Sequence, residues 1–290
     1  EGIVLDRNGQ ERLRRRIAAP HGDYGQTVEA IAGLVGALED EIGETASVGV
    51  GIPGAVSQAT GVIMNANSTW LIGRPFDRDM AERLSRPVRV TNDANCFALS
   101  EAVDGAGTGA ESVFGVILGT GVGGGIVVNG QVLAGANRIA GEWGHNPLPW
   151  PTGDECPGPA CYCGRQGCIE TFLSGPALSR DHAAASGQTL DPAQIAAKAQ
   201  SGDQAAQQTL SRYEDRLARG LATVINLLDP EAIVLGGGLS NIGRLVDNIP
   251  KLWPPYVFCD GVRTRLLRAK HGDSSGVRGA AWLWPAEVEV

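Results

Sequence analysis

The chain has 290 residues, 43% of them hydrophobic, enough to bury a sizeable core as one large domain or two lobes. Its net charge of −8 argues against nucleic acid or an anionic membrane as main partner, but leaves room for a phosphorylated ligand held by local positive potential. No apolar run approaches the ~20 residues of a membrane helix and no signal-peptide core is visible, so a soluble cytoplasmic protein is expected.

In chain order, residues 1–10 read as a short strand running into an Asn8-Gly9 turn. Residues 27–41 carry Val28, Ile31, Leu34, Val35 and Leu38 at helical spacing. A strand at 47–52 ends at Pro53-Gly54. Another at 88–90 runs into Thr91-Asn92-Asp93-Ala94-Asn95 and a helical stretch over 96–103. A strand at 113–118 leads into a glycine-rich turn, 119–125, and a strand at 126–128. Residues 143–167 are rich in Pro, Gly and Cys. They are too long for a plain turn, which marks them as functional or metal-bound. Helical material follows over 192–228. The strand-to-glycine pattern returns at 232–238, and 279–284 reads as a terminal helix. Strands alternating with helices define an α/β class.

The chain also echoes itself. Gly2-Ile3-Val4-Leu5-Asp6-Arg7-Asn8-Gly9-Gln10 resembles Gly125-Ile126-Val127-Val128-Asn129-Gly130-Gln131. The echo predicts two similar lobes; a chance match of two strand-turn segments is the alternative. In the second copy a strand and a glycine-rich turn come first, so the same order predicts a strand and turn ahead of Gly2.

Four of the six cysteines lie between Cys156 and Cys168. In a cytosolic chain such crowding suggests metal rather than disulfides. His145, Cys161, Cys163 and Cys168 form a Cys3His set that closes a tetrahedral sphere. With no position left for water, the zinc is read as structural. Gly164 and Gly167 let the chain turn back to deliver Cys168. The expected task is to brace the long loop and the flanking carboxylates, Glu142 and Glu170. The alternative is a set of unconnected thiols and a surface histidine. Cys156 is a rival ligand, and Cys96 and Cys259 read as core.

Glu142-Trp143-Gly144-His145, followed by Cys161-x-Cys163-Gly164-x-x-Gly167-Cys168-x-Glu170, resembles the signature of the ROK family of bacterial sugar kinases and repressors. Asn92-Asp93-Ala94-Asn95, Leu118 to Gly125 and Val234-Leu235-Gly236-Gly237-Gly238 belong to the same resemblance, which runs over about residues 47–284. Residues 140–150 and 269–284 look like the fructokinase (manno(fructo)kinase) branch, with N-acetylglucosamine kinases next. The resemblance implies an α/β, actin-like (ribonuclease H-like) two-lobed sugar kinase fold with a zinc-bound loop. It places an N-terminal lobe over 1–112 and a C-terminal lobe over 113–275, which carries the zinc loop and the nucleotide site. A helix about 276–290 is expected on the first lobe. It implies ATP with magnesium and a homodimer. The implied reaction is phosphorylation of a hexose 6-hydroxyl, fructose foremost, with mannose, glucose or N-acetylglucosamine as alternatives. It also implies an Asp-x-Gly-Gly-Thr-Lys turn ahead of residue 1, in agreement with the echo; a form without it is expected to be poorly active. A non-catalytic sugar-sensing module is the other class, although no helix-turn-helix is visible.

Phosphoryl transfer requires an activated hydroxyl, a held triphosphate and neutralised charge. Asp93, following a short β-branched strand, can serve as general base; the alternative is a plain helix cap. Asn92, Glu142, His145 and Glu170 are read as holding sugar hydroxyls, with Asn67 and Gly54 completing the site from the first lobe. Gly119, Thr120, Gly121 and Gly123 can cradle phosphate through backbone amides, without a Walker lysine; a tight hairpin is the alternative. Gly236, Gly237 and Gly238 can approach the nucleotide, or form a plain strand-to-helix turn. Arg138, Lys270 and His271 are read as a solvated face.

Overall fold

A computed structural model describes residues 1–284. β1 (Gly2–Leu5) and β2 (Glu11–Arg15) form an antiparallel hairpin. Its turn is held by Asp6, whose carboxylate accepts from the N–H groups of Asn8 and Gln10 at 2.8 Å each. α1 (Tyr24–Ile42) starts at Asp23, whose side chain accepts from Gln26 N–H, and stops at Gly43 in the left-handed region. It buries Val28, Leu34 and Leu38 of the expected apolar face, with Ile31 and Val35 half-buried. β3 (Val48–Ile52) is followed by the short pair β4 (Ala55–Val56) and β5 (Ile63–Met64), by α2 (Phe76–Leu84), and by β6 (Val88–Asn92). β6 lies parallel to β3, Val48 opposite Val88.

α3 (Asp93–Val103) is buried from Ala94 to Ala102. A helix apolar nearly all round must be covered on all sides, and this one is. The strands β7 (Ser112–Leu118) and β8 (Val122–Val128) cover one side. β8 continues into β9 (Gln131–Val132) through Asn129-Gly130, both at positive φ, the conformation a two-residue hairpin needs. Next come α4 (Glu170–Leu173), α5 (Gly175–Ser186), α6 (Pro192–Gln200) and α7 (Gln204–Leu228). β10 (Ala232–Gly236), α8 (Arg244–Leu252), β11 (Arg265–Arg268) and α9 (Ser275–Ala281) complete the order. The larger sheet runs β11-β10-β7-β8-β9. β7, β10 and β11 are parallel, and β7, β8 and β9 antiparallel. Leu210, Tyr213, Leu217 and Leu221 of α7 pack with Phe114, Val116, Ile233 and Leu235 in the main core.

α9 covers the far side of α3 and also touches β3 and β1. The approach is backbone to backbone: a Cβ on Gly279 would lie 1.6 Å from the Cys96 carbonyl oxygen. Glu101, fully buried on α3, anchors the same junction. It accepts from the N–H groups of Ala106 and Lys270 at 2.8 and 3.0 Å and from the Ser275 hydroxyl at 2.8 Å. His271 Nε2 lies 3.1 Å from Asp104 Oδ1.

Several expectations are corrected. Gly123 lies within β8 rather than in the turn, because Gly123 to Gly125 pair with β7 from Ile117 back to Gly115. The terminal helix begins at Ser275 and ends at Ala281, and the part of the expected 276–290 helix beyond residue 284 lies outside the described residues. Lys270 is exposed, as expected, whereas His271 is half-buried against Asp104 at the end of α3 rather than on a solvated face, and Cys259 is exposed rather than core.

The echo has a structural counterpart. β1–β2 and β8–β9 are antiparallel hairpins; β3–β6 and β10–β11 are parallel pairs. In the larger sheet β7 joins the hairpin to the parallel pair. In the N-terminal half, among the described residues, β1 and β3 share no ladder. A cavity of about 520 Å³ lies there, lined by Ile3, Val4, Leu34, Leu38, Val48 and Val50 among others.

Candidate active site and metal centre

Asp93 is the first residue of α3, at the point where β6 ends. The capping role belongs to its neighbour. Asn92 Oδ1 accepts from Ala94 N–H at 2.8 Å, and Asn92 Nδ2 donates to the Gly54 carbonyl at 3.1 Å. Asp93 Oδ1 shares the Ala94 N–H at 2.8 Å. Asp93 lines the cavity between β1 and β3 and keeps part of its surface exposed. Loss of hydration raises its pKa above the ordinary aspartate value, with the Ala94 N–H pulling the other way.

The facing side chains come from the other half. Trp143 is buried against the core, edge-on to Phe114 at 5.8 Å, and its Nε1–H donates to the Gly123 carbonyl at 3.0 Å. That anchor positions Glu142 and His145 on either side of it. Lost hydration raises the Glu142 pKa, and the charges of Asp93 and Glu170 raise it further while His145 opposes them. Three carboxylates from two halves of the molecule therefore share one electrostatic neighbourhood. Glu170 opens α4, and its Oε2 accepts from Val122 N–H at 2.9 Å. A Cβ on Gly121 would lie 2.7 Å from that oxygen, so any larger residue there would push the Glu170 carboxylate aside.

That turn is compact: Gly119 N–H donates to the Gly121 carbonyl at 3.0 Å. Gly175 N–H, at the start of α5, donates to the Gly119 carbonyl at 2.7 Å. Gly237, at φ +78°, packs against the Leu118 backbone where a Cβ would meet the carbonyl oxygen at 2.5 Å. The two glycine segments and a helix start thus lie together, and free amides at a helix start favour anions. Gly54, by its bond to Asn92, reaches the Asp93 end of the site. Asn67 is exposed, and no hydrogen bond among the described residues ties it to Asn92 or Gly54. Arg138 stands at φ +58°, and the Gln58 amide oxygen, turned toward it, accepts from its Nε at 2.7 Å.

The loop between the carboxylates folds back on itself. Leu148 N–H donates to Gly167 O at 2.9 Å and Ile169 N–H to Asn146 O at 2.8 Å, which brings the His145 segment against the Cys168 segment. Cys161 N–H to Arg165 O at 2.8 Å closes the tight turn between the thiols. The ligand atoms of His145, Cys161, Cys163 and Cys168 all lie within 4.8 Å of one another. Cys161 Sγ is 3.6 Å from His145 Nδ1, and Cys163 Sγ is 3.6 Å from Cys168 Sγ. A zinc tetrahedron with metal–sulfur bonds of about 2.3 Å has edges of about 3.8 Å, so the donor set and spacing fit a closed zinc site. Burial pushes the Cys168 thiol up to about 12, so its ionisation calls for a cation. Cys156, the rival, is exposed and outside the cluster.

The composition gave no sign of what fastens this loop. Glu155 is buried with Arg216 and Arg219 of α7 at 2.7 and 2.9 Å. Burial alone would raise its pKa, and the guanidinium groups override that and lower it. Tyr162 was also unforeseen: its hydroxyl lies 2.9 Å from His145 Nε2.

Two α/β lobes built on related sheets and meeting along one buried helix are the actin-like arrangement. A model of the ROK family matches residues 1–287, and the chain belongs to that family. It is 39% identical to an N-acetyl-D-glucosamine kinase of Salmonella paratyphi A over 284 residues, 97% of this chain and 94% of the relative. A ROK hexokinase from Thermus thermophilus superposes with a TM-score of 0.80 at 32% identity, covering 92% of this chain and 88% of that one. A ROK family glucokinase from Streptomyces griseus, solved with glucose and AMPPNP, gives 0.76 at 30% identity, covering 97% and 94%. The relatives point to the N-acetylglucosamine alternative more than to the fructokinase branch. Among the described residues no helix is long and apolar enough to cross a membrane.

Proposed function

We propose that this protein is an ATP-dependent sugar kinase acting on the 6-hydroxyl of N-acetylglucosamine, with Asp93 as general base. The observation that carries the reading is the convergence of Asp93, Glu142 and Glu170 in one neighbourhood, on a chain 39% identical to N-acetyl-D-glucosamine kinases. In this reading Asp93 accepts the proton of the attacking hydroxyl, and its raised pKa brings its basicity closer to that task. Asn92, Glu142, Glu170 and His145 hold the remaining hydroxyls, with Gly54 at the rim. The turn Gly119-Thr120-Gly121, with Gly237 and Gly238, takes the triphosphate. Magnesium accompanying ATP supplies charge neutralisation at the phosphates. Residues 1–112 and 113–275 are the two lobes, and a homodimer is the assembly proposed.

Fructose is the second reading, supported by the resemblance of residues 140–150 and 269–284 to the fructokinase branch. ADP release measured with N-acetylglucosamine, glucose, mannose and fructose separates them. Turnover fastest with N-acetylglucosamine and abolished by Asp93→Ala is the expected result. No turnover with any of the four sugars refutes the kinase reading and favours a sugar-sensing module.

A further inference from the structure

We propose that Tyr162 caps the acceptor site: its phenol occupies the place on His145 that a sugar hydroxyl takes, and the sugar must displace it to bind. The inference rests on the kinase reading above and names a residue that sets sugar affinity.

Tyr162 sits between two cluster cysteines. Cys161 and Cys163 both turn their sulfurs toward the cluster, and the residue between them projects outward, 77% exposed. Its ring nevertheless stands edge-on to the His145 imidazole, with centroids 5.1 Å apart at 87°. The hydroxyl lies 2.9 Å from Nε2. So exposed a phenol gains little by burial there, and water would serve its hydroxyl as well. What the contact changes is the state of His145.

The two imidazole nitrogens have separate tasks. Nδ1 faces Cys161 Sγ at 3.6 Å, on the cluster side. A metal ligated there leaves the ring proton on Nε2, pointing away from the cluster. Nε2–H is a single donor and makes one good hydrogen bond. The Tyr162 oxygen and a sugar oxygen therefore exclude one another. A phenol also matches a sugar hydroxyl in chemistry, since each can accept from Nε2–H while donating to an acceptor nearby. The exposed ring can leave by a side-chain rotation, a fast step. Its backbone stays, held by the Cys161–Arg165 and Gly164–Cys161 bonds. A ligand with no hydroxyl to offer has nothing with which to replace the phenol.

Tyr162→Phe removes the hydroxyl and keeps the ring. The expected result is a KM for N-acetylglucosamine lowered about three- to tenfold, the range set by one net hydrogen bond, with the KM for ATP and the zinc content unmoved. Calorimetric titration with the sugar alone should tighten in parallel. A raised sugar KM would mean that the hydroxyl contributes to binding, and an unchanged one that the contact is idle; either overturns the proposal. Zinc loss in the variant overturns it as well, by showing that the hydroxyl holds the cluster. The two readings fail differently. Wild-type protein that binds sugar without transferring phosphate refutes the kinase alone, and calorimetry still decides Tyr162. Wild-type turnover with no tighter binding in the variant refutes only the cap.

Discussion

Asp93 owes its character to its surroundings. Asn92 caps α3 and shares the Ala94 N–H with Asp93 Oδ1, while Asp93 lines the cavity between β1 and β3. Partial desolvation then raises its pKa. For a carboxylate whose folded pKa is raised, the favourable contribution is present below the unfolded value and lost as pH rises through the folded one. At neutral pH the ionised form is therefore a burden on stability, accepted for chemistry. Asp93→Asn should raise the melting temperature at pH 7 and lower kcat/KM by about 10²–10⁴-fold; a melting temperature that falls would contradict the desolvation argument. The wild-type pH–rate profile should show its acid limb above the ordinary aspartate value of 3.8. A limb at or below that value would exclude Asp93 as the base.

At the scale of elements, the zinc loop is tied at three places. The Trp143 anchor holds its start, the paired segments 146–148 and 167–169 hold its neck, and Glu155 with Arg216 and Arg219 holds its middle to α7. The metal cluster would fix the remaining end, next to Glu170. Cys161→Ala should lose zinc and weaken sugar binding together, by at least about tenfold, as read by metal analysis and calorimetry. Sugar binding that survives in zinc-free protein would show that α7 and the core suffice to hold Glu142 and Glu170. The motif Glu142–His145 and Cys161–Glu170 was legible because its residue types have few other uses at such spacing. Glu155, Arg216 and Arg219 were not, because charged residues on a long helix read as solvated until the partner loop is seen to cover them. The turn 119–121 was legible, but Gly123 to Gly125 misled. Glycines in a strand look like turn residues until the Ala94 carbonyl is found pressed against Gly125 and the Gly141 carbonyl against Gly124.

At the scale of the whole molecule, the candidate site is split. Asp93 and Asn92 stand on the β6–α3 junction, whereas Glu142, His145 and Glu170 hang from the larger sheet. α3 and α9 connect the two through near backbone contact. Order should follow the same division. The larger sheet is continuous over its strands and backed by α7, whereas among the described residues β1–β2 pairs only with itself beside an apolar cavity. Hydrogen exchange should find the slowest amides in β7, β10 and α7 and much faster exchange in β1 and β2. Equal protection throughout would show that the hairpin unfolds only with the core.

The sequence by itself determined the α/β class, the four zinc-type ligands, the Asn92-Asp93 junction and the repeated strand-turn unit. These rest on local pattern: spacing, glycine position and side-chain chemistry act over a few residues. Only the tertiary structure decided that Asn92 is tied to the Gly54 carbonyl, that Glu101 and Glu155 are buried and satisfied, and that Tyr162 reaches His145. Each depends on a contact between segments distant in the chain or folded back on one another, and burial, the physical quantity that changes their chemistry, belongs to the packed molecule.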